Sequence, residues 1–514
     1  MKKQKSIPII LGITGHRDLC PDHLPQLRKS LSNILKEYKN KYKNTKIILI
    51  SALAEGADML AAEVAKELDI TLNVVLPYDE EEYLKSFQSN EAIDQYHKLK
   101  KYASDIPLVL HCEESSKKED CYQKQGEYIA DTSNILIALW DGKVIDKKGG
   151  TSAIVEYIRY GFKDNHFDHQ DGNALFIINT PRQVNPEIES PFTVQYEYLG
   201  RMKEEGFADI FKEIDNLNSQ INKNIISGDT HKQFFEKKAE ENQNKYQLYM
   251  KLILVLSWLA IFSLELMHNR HIDSFIIGYG LGILIAFGIF HFLMKKGRIE
   301  NDFIYSRGFS EALRVQNAWK GAGINESVAQ YYLDNHHHKF TWVRVALKNI
   351  NYLYNEPQAP DLWRKEQTDY FIEKIAEKKK KLHFLELLEH WLYKSGFYIL
   401  LAMFIYYGLE LSHILPHGSL PFSWHLLVLI SGTLLMTAAF IGEKYVKVQG
   451  YEEDIYNYNI LLGIFKDAST WLEKTKDKKE KRKIIYELGI KALDENSRWL
   501  VLHESRRIKP SLEG

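Results

Sequence analysis

Three cysteines in 514 residues, Cys20, Cys112 and Cys121, are too few and too irregularly spaced for a disulfide framework or a thiolate metal site. That scarcity predicts a reducing compartment and no disulfide framework. Net charge is missing as well, because 67 Lys+Arg against 68 Asp+Glu leave −1. No bulk field draws such a chain to nucleic acid, so no direct nucleic-acid binding is expected. The opening residues, Met1-Lys-Lys-Gln-Lys5, lead straight into a strand-like run, so no signal peptide is expected. His336-His337-His338 stands without a nearby cysteine set and reads as surface, so neither a metal nor a cofactor is expected. The mean hydropathy of −0.33 is an average over unlike parts, since four long apolar stretches all fall in the second half.

What is present is organised around Ile9–Asp18. An apolar run from Ile7 to Ile13, interrupted by Pro8 and Gly12, closes on Thr14-Gly15-His16-Arg17. Leu24, Leu27, Leu31 and Leu35 follow at helical spacing. A strand, a tight glycine loop and a helix expose backbone N–H groups and the positive end of the helix to an anion. Arg17 would add a charge-assisted contact. The same device recurs twice. Lys46–Ile50 ends in Ser51-Ala-Leu-Ala-Glu55-Gly56-Ala57-Asp58 and a helix, and Ile135–Leu139 ends in Trp140-Asp141-Gly142, with Gly149-Gly150-Thr151 opening another helix. Leu72–Leu76, Ile106–Leu110 and Ala174–Ile178 supply further strands, and Tyr83 to Leu99 reads as helical. Alternating strands and helices imply a parallel doubly wound sheet, and ligands on such sheets sit at the C-terminal strand ends. All three glycine loops fall there.

Gly12-x-Thr14-Gly15-His16-Arg17, Ser51-x-x-x-Glu55-Gly56-Ala57-Asp58, Trp140-Asp141-Gly142 and Gly149-Gly150-Thr151 together resemble the SLOG superfamily over roughly residues 7–182. That superfamily groups the lonely-guy phosphoribohydrolases with proteins like the bacterial DNA-processing protein A. The resemblance implies a Rossmann-like domain that binds a nucleotide or a nucleotide-derived signal. It implies phosphate contact for Gly15, His16 and Arg17, the ribose or base side for Ser51, Glu55, Gly56 and Asp58, and the other phosphate face for Gly149, Gly150 and Thr151. One departure bears on chemistry. The hydrolase branch carries a Glu three residues after the Thr, whereas here the next carboxylate is Glu156, five residues after Thr151. That offset turns a helical side chain elsewhere, so Glu156 is a weak catalytic candidate beside its plain role as a surface helix residue. His16 is open to three interpretations, an acid–base group, a phosphate neighbour or a loop-capping histidine.

Pro181–Pro191 reads as a linker, and Tyr196 to Lys251 as charged helix. Four apolar spans follow: Leu252–Met267, Ser274–Met294, Ser395–Leu415 and Ser423–Gly442. His268–Asp273 and Pro416–Phe422 are connectors short enough to make each pair an antiparallel hairpin. Lys251, Lys295, Lys296, Arg298, Lys394, Lys444 and Lys447 cluster at the other ends, which places both termini in the cytoplasm. The hairpins repeat: Leu264-Glu265-Leu-Met-His268 matches Leu409-Glu410-Leu-Ser-His413, as a parallel repeat would. Glu265 and Glu410 are carboxylates near membrane depth or at the headgroup boundary. The expected organisation is an α/β Rossmann-like domain over 1–182, a linker and cytoplasmic helix over 183–251, and an α-helical membrane region of two hairpins with cytoplasmic helices, over 252–394 and 395–514.

Downstream of the hairpins, Tyr305-x-Arg307-Gly-Phe-Ser-Glu311-Ala-Leu-Arg314 with Trp319, and Ala492-Leu-x-Glu495-Asn496-x-x-Trp499, resemble the SLATT family in two copies over 230–510. Its members pair two transmembrane helices with cytoplasmic helices and often accompany SLOG domains. The resemblance implies an effector of a bacterial antiviral or conflict system that perforates or depolarises the inner membrane on a nucleotide signal. Such an effector requires a homo-oligomer, since four helices alone rarely enclose a water-filled path. The alternatives are a membrane-anchored nucleoside-monophosphate phosphoribohydrolase and a transporter using Glu265 and Glu410.

Overall fold

The structure is a computed structural model. It describes residues 5–505 apart from 104–105, 111, 113–115, 161–171, 201, 225–229, 271–279, 281, 286, 289–296, 333–336, 355, 417 and 419–420. The chain forms two compact units. The first comprises Met1–Phe234 and Glu326–Glu356, the second Phe235–Asn325 and Pro357–Gly514.

The first unit is built on a seven-stranded sheet in the order β4-β3-β2-β1-β5-β6-β7. Its strands are β1 (Ile9–Gly15), β2 (Ile47–Ser51), β3 (Thr71–Leu76), β4 (Leu108–Val109), β5 (Ile135–Trp140), β6 (Ala174–Asn179) and β7 (Val194–Tyr198). The first six pair in parallel, with Leu11 opposite Leu49 on one side and Ile135 on the other. β2 and β5 are buried along their whole length, so they read as unbroken apolar runs instead of alternating ones. The helices α1 (Leu24–Lys41), α2 (Ala57–Glu67), α3 (Glu80–Leu84), α4 (Asn90–Tyr102), α5 (Lys118–Thr132) and α6 (Thr151–Tyr160) connect the parallel strands.

Several expectations change in detail. The single helix expected over Tyr83–Leu99 is two, because Asp79 and Ser89 each cap a new start: their side chains accept from the Glu81 and Ala92 amides. The strand expected over Ile106–Leu110 is only two residues long at the sheet edge. The expected linker after Pro181 turns back through bridges at Leu19–Arg182 and Arg182–Asn185 into β7, an antiparallel edge strand absent from the sequence expectation. Polar residues alternating with tyrosine in Val-Gln-Tyr-Glu-Tyr hid it. Cys112 and Cys121 form a disulfide with 6.0 Å between Cα atoms, where none was expected. The segment after β4 and the first turn of α5 bring together two cysteines whose spacing alone carried no such signal.

The N-terminal ends of the strands are closed by later chain. α7 (Glu204–Asn224) offers buried Asn218, whose Oδ1 accepts from the Ile7 amide at 2.7 Å while its Nδ2 donates to the Ile7 carbonyl at 2.8 Å. α10 (His337–Leu353) offers Asn349, fully buried, whose Nδ2 donates to the Pro8 carbonyl at 2.8 Å and to Asn134 Oδ1 at 2.9 Å. Lys348 reaches the Ser133 carbonyl at 2.9 Å, and the Tyr354 hydroxyl donates to the Ser6 carbonyl at 2.9 Å. These bonds satisfy backbone groups that precede β1 and β5 and that would otherwise be buried without partners. Residues 326–356, expected with the first hairpin, thus pack in the α/β unit.

The second unit is helical. α8 (His231–Arg270) enters it at Phe235, and α9 (Gly297–Gly321), α11 (Pro360–Leu411), α12 (Phe422–Gln449), α13 (Tyr451–Lys474) and α14 (Lys478–Ser505) complete it. Among the described residues, two helices are long and apolar enough to cross a membrane: Pro360–Leu411 and Leu427–Lys474. α11 and α12 pack as a hairpin at close range, since a Cβ on Gly396 would stand 2.8 Å from the Gly432 carbonyl oxygen. Trp258 on α8 donates to the Leu434 carbonyl at 3.3 Å. At the other end, Arg314 joins Glu236 at 2.6 Å and Glu311 at 3.0 Å, and Arg307 donates to the Tyr458 hydroxyl at 2.8 Å beneath the Trp499 ring. The charged residues spaced along α9 are therefore interior polar packing. Glu410 ends α11 buried, with the Gly418 amide donating to its Oε1 at 2.6 Å. Most of Ser274–Met294, and the side chain of Glu265, lie outside the described residues.

Candidate functional site

The sheet reverses its winding between β1 and β5, and loops that leave neighbouring strands in opposite directions open a crevice there. A cavity of about 480 Å³ fills that crevice. It is lined from the β1 loop by Thr14, Gly15, His16, Arg17 and Asp18, and from the β2 loop by Ala52, Ala54 and Asp58. The β5–α6 loop adds Lys143, Lys147, Lys148, Gly149, Gly150, Thr151 and Ser152, and Arg182 closes one side.

Glycine sets the tightness of these loops at two positions. A side chain on Gly15 would collide with Ala57, so α2 seats directly against the β1 loop. Gly56 has φ +84°, and a Cβ there would stand 2.5 Å from the Arg17 carbonyl oxygen. The contact lets the Ala57 amide donate to the His16 carbonyl at 3.1 Å, which caps α2 with backbone from the neighbouring loop.

His16 and Asp141 meet across the crevice, Nε2 to Oδ1 at 3.1 Å. The Asp141 carboxylate is almost fully buried and also receives Asn185 Nδ2 at 3.3 Å, with Arg182 at 3.6 Å. Arg182 is shared with Asp18 at 2.9 Å. Burial, then the Arg182 charge, hold the His16 imidazole below its usual value despite Asp141, so it is neutral at physiological pH. Burial alone would raise the Asp141 carboxyl; His16, the Lys143 amide and Asn185 outweigh it and keep Asp141 ionised. Asp58 behaves oppositely. Its burial pushes the carboxyl up to about 7, against the opposing pull of Arg17 and the Ala54 and Ala52 amides.

The positive charge of the cavity is only partly neutralised. Arg182 is held by Asp18 and Asp141, and Lys148 by Asp120 at 2.9 Å. Among the described residues no carboxylate pairs with Arg17, Lys143 or Lys147; Arg17 lies over the Tyr122 ring at 5.6 Å, and Lys143 donates to Asn185 at 2.9 Å. Glu119 is the carboxylate on the same rim. Cations at the mouth and the amides of the first turn of α6 suit an anion, and the interior, with Ile13, Tyr83, Ile129 and Ile154, suits a flat apolar group.

Of the residues singled out from sequence, Thr14, Gly15, His16, Arg17, Asp58, Gly149, Gly150 and Thr151 line this one cavity, and Asp141 braces it. The others lie elsewhere. Gly12 is inside β1, where a side chain would collide with Ser133. Ser51 is buried under the β2 loop and accepts from the Leu53 amide at 3.0 Å. Glu55 receives the Gln88 amide at 2.8 Å. The Trp140 ring is buried, with its Nε1 donating to the Lys143 carbonyl at 3.2 Å. Glu156 lies on α6 outside the cavity lining, 3.8 Å from Arg159. Sequence reasoning missed Lys143, Lys147, Tyr83, Tyr122 and Arg182. The lysines stand in plain view before Gly149-Gly150, but Arg182 sits after Pro181 in what reads as a linker, and the tyrosines come from helices no motif marks. No protein-family model matches the chain, and no curated protein matches it.

Proposed function

We propose that the chain is a membrane effector gated by a nucleotide-derived signal. The observation that carries this reading is the joining, in one chain, of a cation-rimmed cavity at the switch point of a parallel sheet to helices whose large apolar side chains point outward. On α11 and α12, Phe384, Trp391, Tyr398, Phe404, Leu411, Trp424, Leu427 and Phe440 are all exposed. Each such side chain gains about 1.5–3 kcal/mol from leaving water, so lipid or a second copy covers them. The 52-residue α11 would run about 78 Å, more than twice a hydrocarbon core of about 30 Å, leaving its first half in the cytoplasm.

In this reading the two hairpins supply four spans with both termini cytoplasmic, in a bacterial inner membrane, and several copies assemble. Arg17, Lys147, Gly149, Gly150 and Thr151 hold the phosphate of the signal, and His16 and Asp141 brace the loops that carry them. A signal that prefers the active state a hundredfold shifts each copy by about 2.7 kcal/mol, and an oligomer multiplies that bias. Support comes from the arrangement of charge and apolar surface described above; a hydrolase role finds less, because Glu156 is away from the cavity.

Full-length protein in liposomes loaded with a self-quenched dye tests the proposal. Leakage is expected with a binding nucleotide and is lost in Arg17→Ala and Lys147→Ala. A nucleotide that binds by calorimetry and produces no leakage at any protein density sinks the effector reading.

A further inference from the structure

Two of the three cysteines are joined beside the cavity. Cys112, half-buried after β4, and Cys121, 4% exposed in the first turn of α5, have Cα atoms 6.0 Å apart, within the span a disulfide bridges. The bond closes a sequence separation of only 9, so it restricts the unfolded chain less than a long-range bridge would. In the topology proposed above the α/β unit faces the cytoplasm, where thiol buffers keep cysteines reduced, and a disulfide that forms there is transient or redox-sensing. The open state has a place for the half-buried sulfur as well: the Cys112 thiol has the Pro77 carbonyl as an acceptor, 3.7 Å from Sγ.

The bond restrains the wall of the cavity that carries its positive charge. The residues on either side of Cys121 hold that wall. Asp120 pairs with Lys148 at 2.9 Å, the Tyr122 ring lies 5.6 Å from the Arg17 guanidinium, and Gln123 Oε1 accepts from the Gly149 amide at 2.8 Å. The β5–α6 loop sits directly on this turn, since a Cβ on Gly149 would stand 2.6 Å from the Tyr122 Cβ and 3.0 Å from the Glu119 carbonyl oxygen. Yet α5 begins without a side-chain cap, because Lys117 stands at its N-cap position. An uncapped first turn frays once its tether opens. The exposed Lys118–Glu82 pair at 2.6 Å contributes little against that.

We propose that Cys112 and Cys121 form a reversible thiol–disulfide site, closed by a peroxide, that sets how firmly α5 holds the cation-bearing wall of the cavity. It takes the cytoplasmic side from the proposed topology and nothing from the identity of the ligand. Cys112 is the accessible member and reacts first. Its sulfur attacks a peroxide oxygen and the O–O bond breaks; the leaving oxygen takes the thiol proton and departs as water or an alcohol, and Cys112 becomes a sulfenic acid. The Cys121 sulfur then attacks the sulfenic sulfur. The S–O bond breaks, the oxygen leaves with the second thiol proton as water, and the disulfide forms. Two glutathione thiols reopen it and are themselves oxidised to a disulfide. Closed, the bridge pins the first turn of α5 against Lys148 and Gly149. Open, that turn frays and the loop packed on it loses its support.

Full-length protein in detergent is treated with hydrogen peroxide or with reduced glutathione, and the state of each cysteine is read by differential alkylation and peptide mass spectrometry. Peroxide is expected to join Cys112 to Cys121, and roughly a hundredfold excess of reduced over oxidised glutathione to reopen them. Hydrogen exchange of residues 147–151 is expected to be about threefold or more slower in the joined form. Cys112→Ser, folded by circular dichroism, should exchange at the faster rate with or without peroxide, while a change at the free Cys20, Cys20→Ser, should leave the response intact. A bond that survives that glutathione excess is a fixed staple and overturns the inference. So does a pair of thiols that peroxide leaves unjoined, or a loop that exchanges equally in both forms. None of these outcomes needs a variant, and none bears on the leakage test of the effector reading.

Discussion

His16 and Asp141 lie 3.1 Å apart, one at the end of β1 and the other at the end of β5, so one hydrogen bond spans the switch point of the sheet. The pair fixes how far apart the two loops of the cavity stand. Asp141→Asn keeps the shape but removes the negative charge beside His16 and leaves Arg182 with Asp18 alone. A loss of about 1–3 kcal/mol is expected in urea unfolding followed by tryptophan fluorescence. Because the His16 imidazole is held below its value in the unfolded chain, folding favours its neutral form. Its contribution is present above pH 6.5 and is lost as pH falls through the lowered folded value, so the unaltered protein should lose stability on acidification below 6.5. A His16→Gln variant should show a shallower decline, and an unchanged slope would remove His16 from that role.

Asp58 makes the opposite pH dependence. Its folded value of about 7 lies above the unfolded value of 3.8, so the fold gains from the protonated form at low pH and loses that gain as pH rises through 7. Three units correspond to about 4 kcal/mol at most, and relaxation of the site will reduce it. Asp58→Asn should therefore raise the melting temperature at pH 8 and leave it nearly unchanged at pH 4, measured without ligand. A variant less stable at both pH values would contradict the burial argument.

Gly56→Ala should damage the site without touching a charge. It forces a Cβ into a positive-φ position and against the Arg17 carbonyl oxygen at 2.5 Å. The strain alone is about 1–3 kcal/mol, and relief requires the β1 loop to shift. Reduced thermal stability is expected together with weaker nucleotide binding. Normal stability with normal binding would show that the loop has room the geometry denies it.

Among the strands, those buried on both faces were legible because apolar runs announce them: β1, β2, β3, β5 and β6 all fall within about two residues of where sequence places them. β7 was not, because an edge strand with polar outward residues has no such run. The glycine loops were legible as loops, and their convergence followed from strand order. Which of their residues face the cavity was not. Gly12 and Ser51 belong to the same motifs as Gly15 and Asp58, yet one is packed against Ser133 and the other lies beneath its own loop. A motif records neighbours in sequence, while the cavity is composed across strands, so Arg182 and Tyr122 left no local trace. The same limit hid the docking of α10 on the sheet, which depends on Asn349 meeting Asn134.

The hairpin offers a test in the second unit. Gly396→Leu places bulk where a Cβ would already be 2.8 Å from the Gly432 carbonyl oxygen, so α11 and α12 must separate. Membrane-inserted protein with faster proteolysis and lost dye leakage is expected, whereas Gly408→Leu, on the same helix with no atom within 4 Å of its added Cβ, should behave as the unaltered chain. Equal behaviour of the two variants would refute close packing at that point.

The return of residues 326–356 to the sheet means that the polypeptide passes between its two units three times, near 234, 325 and 356. The α/β unit cannot then be inherited, swapped or expressed as one contiguous cassette. A fragment ending at 182 or 234 would leave the Pro8 carbonyl and Asn134 facing water where Asn349 belongs. The α/β unit in isolation needs both segments, spliced or co-expressed, and recombination at a single breakpoint severs what the fold holds together.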